Sequence, residues 1–315
     1  MPPVRRREET IPAEVAEAVA DSLRLLRQAR LEVQGVAPAV SQPLPSLLER
    51  CERYITGDRR PHREPVRLIH HFACTGGTLI AKCLASMPNT QLLSEVEPHS
   101  PIPQQRRSKF APTDIIGLLR NSSRGSDSEL ESRLFLVALD ALYEDCTARG
   151  LRLLLRDHAH SSYCTGPTVG TTPKLRQLLI GHHGLKSVVT VRHPLDSWLS
   201  LKCNGWVHFE PASLDEYVAR YQHFLDDYAD VTVFRYEDVV SDPDQQLRSI
   251  CTALDLPYID SYRETFSAHR FSGDSGRSSE VIGSRPRRPV SDEVARETKA
   301  STAYRGLCER LGYEP

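Results

Sequence analysis

The sequence predicts an α/β protein of three layers, a parallel sheet covered by helices on both faces. From residue 63 onward, short apolar runs alternate with stretches of helical periodicity, the pattern of strands buried on both sides. The strands expected at 66–72, 151–155, 186–191 and 231–235 each end at a cluster of polar or small residues. Parallel sheets take their ligands beyond the carboxyl ends of the strands, so these clusters stand where a site belongs.

A chain of 315 residues can bury one large core, or one core plus a small appendage. Its net charge of -1 argues against a general polyanion binder, so nucleic acid is not an expected partner and any anion site is local. No apolar run approaches the roughly 20 residues of a membrane helix, and no membrane partner is expected. The basic start, Arg5, Arg6 and Arg7, has no apolar stretch behind it and so reads as no secretory signal. The eight cysteines form no CxxC pairs and have no histidines at metal spacing, which predicts neither a zinc site nor a disulfide framework. A reduced, cytoplasmic protein without a metal is the expectation.

Residues 1–62 are expected to form a helical extension. Apolar spacing over 12–32 (Val15, Ala18, Val19, Leu23, Leu26, Ala29) and over 44–55 reads as two helices, with loops at Gly35 to Pro38 and at Gly57 to Pro61. Nothing there carries chemistry. Packing or assembly is the expected role, compatible with a homo-oligomer.

The main domain is expected at 63–315. Its first strand, 66–72, passes through Cys74, Thr75, Gly76, Gly77 and Thr78 into a helix at 78–87, closed by Pro88 and Asn89. An extended piece, 90–93, leads to Ser94, Glu95, Val96, Glu97 and Pro98. A loop containing Pro and Arg, 101–112, precedes a long amphipathic helix at 127–149. Strand 151–155 ends at Arg156, Asp157 and His158. Helix 173–183 leads into strand 186–191, and Arg192, His193 and Pro194 open a helix through Leu201. Helices 214–228 and 242–254 flank strand 231–235. The Gly-, Ser- and Arg-biased stretch 271–289 reads as a loop folded back on the core, followed by one helix at 292–311.

Three of these junctions suit an anion. Cys74, Thr75, Gly76, Gly77 and Thr78 let the backbone turn tightly and aim several N–H groups at one oxyanion, with a helix N-terminus behind them. The stretch lacks the Lys followed by Ser or Thr that a nucleoside-triphosphatase loop requires. Arg192, at a strand end, offers a planar fork, and Ser200, two turns into the next helix, a short donor. Ser275, Gly276 and Arg277 combine flexible backbone with a guanidinium. Singly, each has a plain reading as a βα loop, a strand-end ion pair or a linker.

In this order on one α/β frame, the three resemble the sulfotransferases that use 3′-phosphoadenosine 5′-phosphosulfate (PAPS). Cys74 to Thr78 is similar to that family's [KR]SGTT loop, which binds the 5′-phosphosulfate. Arg192, Pro194, Asp196 and Ser200 match its R-[NH]-P-x-D-x-x-x-S motif for the 3′-phosphate. Gly273 to Arg277 resembles its nucleotide-closing loop, and Arg235 to Pro243 a late YEDL…DP segment. The resemblance implies a P-loop-like sulfotransferase fold of bacterial type over 63–289, with PAPS as co-substrate and no metal. The implied acceptor is a hydroxyl on a small molecule or carbohydrate.

The implied reaction needs a base beside the acceptor hydroxyl and a cation or donor at the leaving phosphate. Arg156 and His158 resemble the family's K-x-H signature, with His158 as base, while Glu95 resembles the catalytic glutamate of tyrosylprotein and some carbohydrate sulfotransferases. Both bases stay open here. The first loop departs from the pattern: Cys74 stands where a basic residue is expected, and Gly77 replaces a Thr. Arg156 is the first choice for the missing cation. Lys82, His70 and His71 are further options, the two histidines facing opposite sides of a strand. Trp206 is expected either to wall the acceptor or to cap the core. A small-molecule or nucleotide kinase, and a catalytically impaired nucleotide-binding protein of the same fold, are the alternatives.

Overall fold

The computed structural model describes residues 64–101, 114–271 and 281–315, together with the exposed helical positions Glu17, Asp21 and Arg24. The extension expected at 1–62 otherwise lies outside the described residues, as do nearly all of the loop at 101–112 and the segment 272–280.

The chain begins with β1 (Val66–His71), α1 (Gly77–Ala85), β2 (Thr90–Val96), α2 (Ile115–Arg120), α3 (Ser128–Ala148) and β3 (Arg152–Asp157). It continues through α4 (Ala159–Tyr163), α5 (Leu175–Leu179), β4 (Leu185–Val191), α6 (Pro194–Cys203), α7 (Leu214–Asp227) and β5 (Thr232–Arg235). Then follow α8 (Tyr236–Ser241), α9 (Pro243–Ala253), α10 (Tyr262–Thr265), a 3-10 turn (Phe266–Ala268), α11 (Asp292–Ala300) and α12 (Thr302–Leu311).

All five strands are parallel in the order β2-β3-β1-β4-β5, as an α/β sheet covered on both faces requires. Side-chain alternation divides the core. Ile69, Leu154 and Val188 pack on α1, α9 and α10, while Leu68, Leu153 and Leu155 pack on α3 and α5. Phe72, Val189 and Val191 join Trp198, Tyr217, Tyr221 and Phe224 of α6 and α7 in an aromatic layer. β1 lies centrally between β3 and β4, so the loops after these three strands open side by side. Among the described residues no helix is long and apolar enough to cross a membrane.

Three elements differ from expectation. The helix expected at 173–183 is limited to α5, because Ile180 leaves helical geometry and Gly181 takes a left-handed φ of 88°. The single helix expected at 292–311 is broken at Ser301, whose hydroxyl accepts from Tyr304 N and donates to Asp215 of α7. A side-chain cap of this kind restarts a helix in a new direction. β2 extends past Leu93 to Val96, with an irregular register against β3 between those residues and Glu95 at a φ of 62°. An extra residue in a strand re-aims a side chain, and here that side chain is Glu95.

The stretch after β2 is clipped by Arg120. It pairs with Glu131 of α3 (Nε–Oε1 2.8 Å, Nη2–Oε2 2.5 Å) and donates to the carbonyls of Pro98 and Ser100. The Arg120 hydrogen bonds, opposed by burial and helped by Ser126, hold the Glu131 carboxyl at about 2 instead of 4.5. A carboxyl lowered on folding adds stability above its unfolded value and loses it as pH falls through the folded one. Glu131→Gln is therefore expected to cost about 2–3 kcal/mol at neutral pH. The gap should close as pH falls from 4.5 towards about 2. Urea titrations over that range read the effect, and a gap independent of pH would leave Glu131 a packing role alone.

Candidate active site

The loop after β1 is built from its own backbone. Thr75 is fully buried, and both its amide (3.3 Å) and its hydroxyl (2.8 Å) donate to Phe72 O. Its side chain therefore braces the turn. Gly76 caps α1 at a left-handed φ of 85°, and a Cβ there would lie 2.2 Å from the Tyr236 ring. Gly77 begins α1, where a Cβ would lie 2.4 Å from Cγ of His71. Neither position admits a larger residue without movement of a ring. Cys74, at a φ of 62°, hydrogen-bonds Ser200 and lies 4.0 Å from Asn204 Nδ2. Burial pushes its thiol up to about 11 against those hydrogen bonds and the charges of Arg192 and Arg288. Cys74 is a neutral thiol and contributes no charge where the sequence pattern led us to expect a cation.

The turn after β4 carries Arg192. His193 caps α6 by accepting from Leu195 N, and its own amide donates to Glu237. Glu237 also accepts from Tyr313 OH (2.5 Å), so the start of α8 and the C-terminal segment both fix this turn. The Arg192 guanidinium lies over the Tyr236 ring at 5.0 Å, and its buried Nε has no hydrogen-bond partner among the described residues. The same ring covers Gly76, so Tyr236 joins the two stretches expected to hold an anion. Sequence reasoning missed this role, although Tyr236 opens the segment that supported the family resemblance. Asp196 pairs with Arg287 (2.9 Å), which ties the chain after the Gly-rich segment to α6. Ser275, Gly276 and Arg277 themselves lie outside the described residues.

On the other side of β1, the ends of β2 and β3 bring Glu95, Arg156 and His158 together. Arg156 is buried. Its Nη1 donates to Ser94 Oγ (2.7 Å), and its Nη2 meets Thr78 Oγ1 (3.0 Å), His71 Nε2 (3.1 Å) and Glu95 Oε1 (2.7 Å). Glu95 Oε2 accepts from His158 Nε2 at 2.9 Å. Burial pushes the Glu95 carboxyl up, but the His158 hydrogen bond and the Arg156 and His158 charges outweigh it and leave it below its ordinary value. The two rival bases are thus one hydrogen-bonded pair, with the guanidinium running from Glu95 to the first turn of α1. Lys82 sits in the last turn of α1, where its charge acts on His269.

Behind this cluster, Asp157 accepts from His70 Nδ1 (2.5 Å) and Tyr228 OH (3.2 Å) on the opposite face of the sheet, where Tyr228 stacks on His70. In front, the His160 ring meets the edges of Trp206 (6.1 Å) and His208 (5.6 Å). Trp206 also packs against the aromatic layer, so it serves core and rim alike. A cavity of about 240 Å³ opens beside α4, with Glu97, His99, Ser162, Thr165, Thr168 and Lys174 in its wall. Its wall is polar.

A family model described as the sulfotransferase family matches residues 69–260, more than half of the chain. The chain belongs to the sulfotransferase family. For a sulfotransferase, the absence of the Lys of a nucleoside-triphosphatase loop is in keeping, and a kinase reading has no support. Among solved structures, the chain resembles the sulfotransferase domain from the curacin biosynthetic pathway at 16% identity, over 80% of this chain and 99% of that one, with a TM-score of 0.46. It also resembles the sulfotransferase domain from the Synechococcus PCC 7002 olefin synthase at 18% identity, over 81% and 97%, with a TM-score of 0.44. Mouse sulfotransferase SULT7A1, solved with PAP, is 14% identical over 78% and 89%, with a TM-score of 0.37. No curated protein matches the chain.

Proposed function

We propose that this sulfotransferase moves a sulfuryl group from PAPS to a hydroxyl on a small-molecule or carbohydrate acceptor, without a metal. One observation carries the reading. A buried guanidinium, Arg156, reaches Thr78 at the start of α1 while pairing with a carboxylate that holds His158. Arg192 stands at the end of β4, across β1 from Arg156, with a buried Nε that has no hydrogen-bond partner among the described residues. The two cations suit the two phosphate-bearing ends of the nucleotide.

In this reading Glu95 orients and His158 is the base. Both Glu95 oxygens are engaged, and a carboxyl held below its usual value is a poor base. With Nε2–H donated in a hydrogen bond to Glu95, His158 takes the hydroxyl proton on Nδ1 as the new O–S bond forms and the S–O bond to phosphate breaks. Arg156, Thr78 and the amides opening α1 meet the charge left on the phosphate oxygen. The hydroxyl and charged side chains in the cavity wall support a hydroxylated acceptor. Free thiols at the seven described cysteines support a reducing, cytoplasmic setting.

Calorimetry with 3′-phosphoadenosine 5′-phosphate (PAP) in metal-free buffer tests the nucleotide assignment. Wild type is expected to bind. Arg192→Ala is expected to weaken binding about 10–100-fold, the value of one charge-assisted phosphate contact, with its melting temperature kept. Unchanged affinity would remove Arg192 from the nucleotide site. The neutral Cys74 favours a second reading, a nucleotide-binding protein with impaired catalysis. PAP binding without PAP release from PAPS, across a panel of phenols, alcohols and sugars, would select it.

A further inference from the structure

We propose that His71, as a neutral imidazole, is the positioning residue for Arg156, and that Gly77 leaves the space that lets it be one. The proposal rests on the reading of Arg156 as the cation at the nucleotide. It explains together two departures from the family loop, the missing cation at Cys74 and the glycine at 77.

Arginine has only donors. The Arg156 Nη2 that lies 3.1 Å from His71 Nε2 therefore requires a lone pair there. The neutral ring then carries its proton on Nδ1, whose nearest carboxylate oxygen is Asp157 Oδ1 at 3.9 Å. A protonated ring would turn an N–H against the guanidinium and release it. The groups facing His71 are His70 on β1, Arg156, Asp157 and His158 at the end of β3, and His160 on α4. Burial, followed by the Arg156, His158, His70 and His160 charges, keeps the ring well below its usual value. His71 thus holds its acceptor through the pH range in which an ordinary histidine changes charge.

Gly77 supplies the room. A Cβ there would stand 2.4 Å from Cγ, 2.5 Å from Cδ2 and 3.0 Å from Cβ of His71, atoms near the root of the side chain that cannot swing away cheaply. The threonine of the family loop and the His71 ring exclude each other. Glycine at 77 admits the ring, the ring fixes Arg156, and Arg156 delivers to Thr78 the positive charge that Cys74 does not supply.

Two variants separate acceptor from packing. Phenylalanine keeps the ring volume without the lone pair, and glutamine keeps an acceptor with a poorer shape. His71→Gln is expected to bind PAP within about threefold of wild type, and His71→Phe about tenfold more weakly, one hydrogen bond to a charged group. Phe binding as well as Gln, or better, overturns the proposal. A second measurement needs no nucleotide. Side-chain ¹⁵N spectra of the wild-type protein should keep His71 as the neutral Nδ1–H tautomer down to about pH 5. A protonated ring, or the Nε2–H tautomer, overturns it as well. Failure of wild type to bind PAP would instead count against the nucleotide reading, with the spectra still deciding the His71–Arg156 pair.

Discussion

His158→Ala is expected to slow PAP release by about 10²–10⁴-fold, the range removed with a general base, while PAP affinity and melting temperature stay near wild type. His158 stands at the end of β3 and donates to Glu95, so in the proposed roles binding and turnover should separate. Glu95→Gln sharpens the result. The amide oxygen still accepts from His158 Nε2, so orientation survives while the charge is lost. The expected loss is at least about tenfold smaller than for His158→Ala. The reverse ranking, with Glu95→Gln inactive and His158→Ala active, would transfer the base to Glu95. Initial rates for the two variants on one acceptor suffice.

Arg156→Ala is the second large effect. Its guanidinium is shared among Ser94, Thr78, His71 and Glu95 and so joins the end of β2 to the start of α1. Removing it takes away charge stabilisation at the leaving oxygen, about 10²–10³-fold in turnover. It also leaves Glu95 with His158 alone, a stability loss of about 1–3 kcal/mol. Arg156→Lys should recover stability better than turnover, because an ammonium keeps the charge but not the fork. Rates and urea midpoints measured on both variants test this, and full turnover in Arg156→Ala would dismiss Arg156 as the cation.

The strands were legible because each is an unbroken apolar run, and their ends revealed where polar chemistry gathers. Helix lengths were less legible. A glycine at 181 and a serine at 301 act through backbone conformation and a tertiary partner, Asp215, which periodicity does not register. The site divides in the same way. Arg192, Glu95, Arg156 and His158 stand out by residue type at strand ends, and Ser200 by its place two turns into α6, whereas the pairing of Glu95 with His158 depends on a strand irregularity that composition does not reveal. The Thr75 hydroxyl donates to the Phe72 carbonyl, a backbone partner that residue type alone does not reveal. His71 fell between two options, since strand parity separates it from His70 but says nothing of a guanidinium arriving from the neighbouring strand.

Tyr236 has a consequence for which nucleotides can compete. One face of its ring bears on Gly76 and the Arg192 guanidinium lies over it, so one aromatic ring acts as a fixed gauge between the two anion stretches. On the proposed nucleotide reading, a ligand with a single phosphate can satisfy only one of the two stretches. A ligand phosphorylated at both ends, at the spacing the gauge sets, satisfies both. Discrimination against ordinary mononucleotides is then expected to be a matter of length, set before any adenine contact is made.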